Sequence, residues 1–195
     1  MKDSGRSKYH HEGAEKTKTG IKARQFVINV DSNSFFFDFS VSLCFRGESP
    51  FMLKLASKDY EALRKHGEET YPHECCGVLL GRFDDDGSRI VTSTARCGNT
   101  RTDSPQNRYN IDPRELVRIQ REGRERGEDI VGFYHSHPDH PARWSPTDFA
   151  EAHWIGCSYV ITSVDKGKAA ITNSFELSGS DESNKQLVDE KIEIG

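Results

Sequence analysis

Two histidines, His135 and His137, flank one serine in the stretch VGFYHSHPDHPARWSPTDFAEA, and Ser145 and Asp148 follow within the same stretch. Imidazole nitrogens and carboxylate oxygens are donors that zinc accepts. Alternate side chains of a strand project to one side, so His135 and His137 can aim two imidazoles at a single point. Pro138 cannot donate to a ladder, so the strand is expected to end there with its tip exposed. Asp148, returning at the start of a helix, can complete a His, His, Asp face. Three protein ligands leave the fourth tetrahedral position to water, as a catalytic zinc site requires. Bound zinc lowers the pKa of that water to about 7. A proton acceptor outside the ligand set is then needed, and Glu74 in YPHECCGVLLG, at the mouth of an apolar strand, is the candidate. Ser145 is the candidate for a hydroxyl facing an oxygen as it becomes negative.

Each residue also has a plainer reading. Ser145-Pro146-Thr147-Asp148 is a sound helix start, with serine as cap and aspartate in the capping-box region. An aspartate bound to zinc would have fewer lone pairs left for that cap. Glu74 alone reads as a solvated carboxylate at the start of a strand, and His-x-His alone as two hydrogen-bonded strand-end histidines. Cys75 and Cys76 follow Glu74, so one of them could face the pocket as a further zinc ligand; the bland reading is two small buried hydrophobes. His140, on the loop PDHPA after His137, could touch substrate; the bland reading is a surface-loop histidine. The ordered set, in its strand, loop and helix context, favours a metal site.

The elements that must position these groups begin after residue 50. Ser57 can cap a helix running to about Glu69, with Tyr60 and Leu63 on its apolar side. CCGVLLG reads as a buried strand and RIVTSTARC as its partner across the turn DDDG. YNI is a candidate short strand after the polar loop CGNTRTDSPQNR. Asp112, Pro113 and Glu115 open a helix expected to reach about Arg126 and to end at Gly127. EDIVGFYHSH is a strand, Ser145 starts another helix, and SYVITSV with KAAITNSFEL form a closing hairpin. The interleaving implies an α/β domain built on a single mixed β-sheet flanked by helices.

Glu74, His135-Ser136-His137-Pro138, Ser145 and Asp148 together resemble the signature of the JAMM, or MPN-plus, metallopeptidases. HECCGVLLG, YNIDPRELV, VGFYHSHPDHPARWSPTD and SYVITSV are similar to the compact prokaryotic members. The resemblance covers roughly Met52 to the C-terminus. It implies one zinc ion per chain held by His135, His137 and Asp148, with Glu74 as general acid/base and Ser145 stabilising the oxyanion. It implies hydrolysis of a peptide or isopeptide bond after the C-terminal glycines of a ubiquitin-like, β-grasp protein such as a sulfur carrier. The fold it implies is the MPN/JAMM fold, related to the cytidine-deaminase-like architecture. The alternative of another class is a non-catalytic MPN scaffold, which lacks the ligands. A zinc nucleobase deaminase would need His-x-Glu and Pro-Cys-x-x-Cys, and neither is present.

Bulk properties limit the classes. The chain has 195 residues, enough for one well-buried domain plus a tail. Its net charge of −4 lacks the basic footprint of a nucleic-acid binder. No apolar run is long enough to cross a bilayer. Five cysteines without framework spacing point to a reduced, cytoplasmic setting. Residues 1–50 read as an N-terminal extension, with 1–25 disordered and 35–45 alternating as one strand, and 51–195 as the catalytic domain. The sequence sets no oligomeric state.

Overall fold

A computed structural model of the chain describes residues 48–195. The expected disorder over 1–25 and the strand over 35–45 lie outside the described residues. The elements are β1 (Glu48–Leu55), α1 (Ser57–Thr70), β2 (Cys76–Phe83), β3 (Arg89–Cys97), α2 (Pro113–Glu125), β4 (Asp129–Pro138), α3 (Pro146–Glu151), β5 (Ser158–Asp165), β6 (Lys168–Ser178) and β7 (Gln186–Ile194). The composition change read near residue 50 thus falls within β1.

Local chemistry departs from expectation at three places. The cap of α1 is Ala56, which offers no side-chain bond. Ser57 is the first helical residue, and its hydroxyl donates to the carbonyl of Gly195 at 3.0 Å, tying down the end of the chain. YNI forms no strand; the Thr100 N–H donates to the Asn110 carbonyl at 2.9 Å and closes the loop on itself. Asp112 does cap α2, accepting from the Arg114 N–H at 2.8 Å. Glu115, however, accepts from the Gly98 N–H at 3.3 Å instead of reaching back to the cap.

The seven strands form one mixed sheet that closes into a barrel in the order β1-β3-β2-β4-β5-β6-β7. A mixed sheet with helices is as the sequence implies; its closure comes from the parallel pairing of β7 with β1. A buried arginine seals that side. Arg89 on β3 meets Glu176 of β6 at 2.9 Å and Glu190 of β7 at 3.0 Å. It also donates to the Gly156 carbonyl. With two carboxylates and a carbonyl around it, the guanidinium has acceptors in place of the water it has lost.

Strand β4 is the spine of the site. Every residue from Ile130 to Pro138 is buried, because β2 pairs it on one side and β5 on the other. On one face Val78, Leu80, Ile130 and Phe133 pack with Ile119 of α2. On the opposite face Leu79, Val131, Tyr134 and Val160 pack with Leu63 of α1. Register slips between Leu79 and Leu80, which face Gly132 and Ile130. This bulge at Val131 resets the alternation, so that Phe133, His135 and His137 share the α2 side.

Tyr134 faces α1, where its hydroxyl meets His66 Nδ1 at 2.9 Å. Burial pushes the His66 pKa down to about 4, with the Arg96 charge adding to the effect and Glu69 opposing it. Below about pH 6.5 the unfolded chain binds a proton that the fold refuses. Stability is therefore expected to fall as pH drops from about 6.5 to about 4, by at most about 3 kcal/mol. Chemical denaturation across that window should show His66→Gln losing that much less than the wild type.

Candidate metal centre

The strand–loop–helix path from β4 to α3 brings His135, His137 and Asp148 together. One donor atom from each lies within 4.8 Å of the others, and this is the metal-capable group among the described residues. The two Nε2 atoms are 3.1 Å apart. Asp148 Oδ1 stands 3.3 Å from His135 Nε2, and Oδ2 stands 3.5 Å from His137 Nε2. Donors about 2.0–2.1 Å from a tetrahedral zinc are separated by about 3.3 Å, so the donor set fits that ion in both spacing and chemistry. Burial disfavours the charge on Asp148, but hydrogen bonds to both histidines outweigh it and hold the carboxyl well below its usual range. The same partnership raises His137 against the pull of burial, whereas His135, fully enclosed, is lowered.

Asp148 serves the helix and the cluster at once. In the capping box of α3, its Oδ2 accepts from the Ser145 N–H at 2.6 Å, and its own N–H donates to Ser145 Oγ at 3.2 Å. A carboxylate has about four lone-pair sites, so Oδ1 faces His135 while Oδ2, which holds the cap, has a further lone pair for His137. Asp148 thus holds the cap while standing beside both histidines. Ser145 Oγ accepts from the helix, and the same residue lines the adjoining cleft.

That cleft, of about 400 Å³, is lined by Glu74, His137, Ser145, His140 and Trp144, with Asn107 on the loop before α2. Glu74 is only 4% exposed. Its Oε2 has no hydrogen-bond partner among the described residues. Burial pushes the carboxyl up to about 8, with His137 lowering it and Asp148 raising it. A carboxyl titrating near neutrality is suited to taking and returning a proton. The exposed His140 reaches the cleft lining, while His153 pairs with Glu182 at 3.0 Å away from it.

Neither cysteine joins the cluster. Burial pushes the Cys75 thiol up to about 11, and Cys76 Sγ is directed to the Cys97 carbonyl at 3.7 Å. Both behave as small buried hydrophobes.

Several supporting residues escaped the sequence reading. Ser136, between the histidines, points to the opposite face as strand alternation demands, and its Oγ accepts from the Cys75 N–H at 2.9 Å. That bond fixes the chain one residue after Glu74. His137 Nδ1 pairs with the Pro141 carbonyl at 2.9 Å, which turns Nε2 toward the cluster. Asp139 adopts φ 54°, and its carboxylate takes the Tyr71 hydroxyl and the Lys166 N–H, each at 2.8 Å. The alternation of HSH signals Ser136; the contacts of Pro141 and Asp139 leave no local pattern.

A mixed sheet with helices, carrying this His, His, Asp cluster on a strand end and a helix start, defines a JAB/MPN-type domain. The family model described as prokaryotic homologs of the JAB domain matches residues 56–177, and the chain belongs to that family. It is 38% identical over 117 residues to a desampylase of Haloferax volcanii, covering 58% of this chain and 81% of the relative. It is 33% identical over 109 residues to a probable TtuB-protein conjugate cleaving protease of Thermus thermophilus, covering 56% and 68%. The fold matches the solution structure of a Desulfitobacterium hafniense protein with a TM-score of 0.62 at 31% identity, covering 74% of this chain and 93% of that one. A Salinibacter ruber protein matches with a TM-score of 0.55 at 37% identity, covering 72% and 92%.

Proposed function

We propose that residues 51–195 form a zinc-dependent peptidase domain that hydrolyses the bond following the C-terminal glycines of a ubiquitin-like, β-grasp protein. The chain is a JAB-type hydrolase, and two relatives named for removing ubiquitin-like conjugates support that substrate class. The observation that carries the zinc assignment is the convergence of the His135 and His137 Nε2 atoms, 3.1 Å apart, on the Asp148 carboxylate, whose Oδ1 and Oδ2 stand 3.3 and 3.5 Å from them. Zinc, when bound, supplies Lewis acidity toward water and toward the scissile carbonyl. Glu74 takes the proton of the attacking water and delivers it to the departing amine. Ser145 donates its free hydroxyl hydrogen to the carbonyl oxygen as negative charge develops there.

The finer architecture, of the cytidine-deaminase-like kind, is supported by α1 and α2 packing on opposite faces of the central strands. Among the described residues no helix is long and apolar enough to cross a membrane. A cytoplasmic setting is supported by the free thiols of Cys75, Cys76, Cys97 and Cys157.

The test is incubation with β-grasp carriers extended beyond Gly-Gly, in peptide or isopeptide linkage, followed by mass measurement. Loss of the extension is expected, and a zinc chelator should abolish it. A zinc-loaded chain that leaves every such carrier intact, yet binds them, would favour the non-catalytic scaffold instead.

A further inference from the structure

A zinc-binding histidine ordinarily donates its second ring N–H to an acceptor that fixes the ring. His137 does so through Nδ1 to the Pro141 carbonyl. His135 does not: its Nδ1 is buried with no hydrogen-bond partner among the described residues. An aromatic ring occupies the role instead. Tyr109 lies over the His135 imidazole with centroids 4.7 Å apart and planes inclined by 29°. We infer that Tyr109 is a positioning residue for the metal centre, holding the His135 ring by stacking where its Nδ1 has no hydrogen bond to do so. This rests on the His, His, Asp reading of the site.

The loop over 98–112 that carries Tyr109 is itself braced. Asn99 Oδ1 accepts from the N–H groups of Arg101 and Asn110, at 3.0 and 3.2 Å. Its Nδ2 donates to the carbonyls of Arg108 and Glu74, at 3.0 and 3.3 Å. Both backbone neighbours of Tyr109 are thus tied to one side chain. The same side chain, with the Pro105 carbonyl that accepts from the Glu74 N–H at 2.8 Å, fixes the backbone of the general acid/base. Beside Tyr109 lies a cavity of about 150 Å³ walled also by Phe133, Trp154 and Tyr159. Removing the tyrosine ring would join that space to the imidazole and let it rotate away from the ion.

The test measures zinc affinity by competition with a chromophoric chelator, and the visible spectrum of the Co²⁺-loaded protein as a report on geometry. Tyr109→Phe keeps the ring face and is expected to match the wild type in both. Tyr109→Leu is expected to weaken zinc binding about 10- to 100-fold and to alter the Co²⁺ bands, while the metal-free protein melts as a folded chain. Should the leucine variant fail to fold, Tyr109→Met, which retains bulk without a π face, carries the same expectation. A folded leucine or methionine variant that binds zinc as tightly as the wild type overturns the inference and leaves the metal reading intact. A wild-type chain that binds no zinc overturns both.

Discussion

Asp148→Ala is expected to yield a chain that no longer retains zinc through purification, with cleavage lost alongside it. The carboxylate is the anionic member of the trio, and its removal leaves two neutral imidazoles to hold a divalent ion. Affinity should fall by more than the about 10- to 100-fold that changes to outer-shell partners cost. Alanine also deletes the acceptor for the Ser145 N–H, which should cost about 1 kcal/mol at the start of α3. Asp148→Asn separates the two effects, because an amide oxygen can keep the cap while the charge is gone. Metal content by atomic emission and melting of the metal-free proteins check this pair. An asparagine variant with zinc at wild-type affinity would remove Asp148 from the ligand set.

Glu74→Gln is expected to keep zinc and lose turnover by about 100- to 10,000-fold. The substitution preserves shape and removes only the capacity to accept a proton. It should not harm the fold. Burial lifts the Glu74 carboxyl to about 8, so between about pH 4.5 and 8 the metal-free fold binds a proton that the unfolded chain has released. Glu74 therefore makes the wild type lose stability as pH rises through that window, and the glutamine variant should be free of that loss. Single-turnover kinetics with the zinc-loaded proteins, and denaturation of the metal-free ones against pH, read the two effects separately. Equal turnover in variant and wild type would assign the proton transfer elsewhere.

The element order from α1 to β6 was legible because its signals are local, whereas the strand β1 and the strand β7 carry none. The strands RIVTSTARC and EDIVGFYHSH, the Asp112 cap and the turn before Ser88 depend on periodicity and turn chemistry over a few residues. The failures share a different cause. Ser57 reads as a cap until the chain end, far away in sequence, claims its hydroxyl. QLVDEKIEI alternates weakly and carries charges at Asp189, Glu190, Lys191 and Glu193, so it gives no local strand signal. It is a strand because β1 and β6 offer it two edges at once. Arg89 looks like one more solvated charge until β6 and β7 bring Glu176 and Glu190 to it inside the barrel.

The site divides along the same line. Residue types and spacing alone determined that His135 and His137 share a face and that Ser145 and Asp148 start a helix, while the link to metallopeptidases came from the resemblance of the whole pattern to the JAMM signature. Alternation and capping act within a few residues and survive whatever the rest of the chain does. Only the tertiary structure decided that Asp148 returns within 3.3 Å of His135, that Glu74 is buried enough to titrate near neutrality, and that Tyr109 lies on an imidazole. Distance and desolvation are set by segments remote in sequence, and a one-dimensional pattern carries no record of which of them meet.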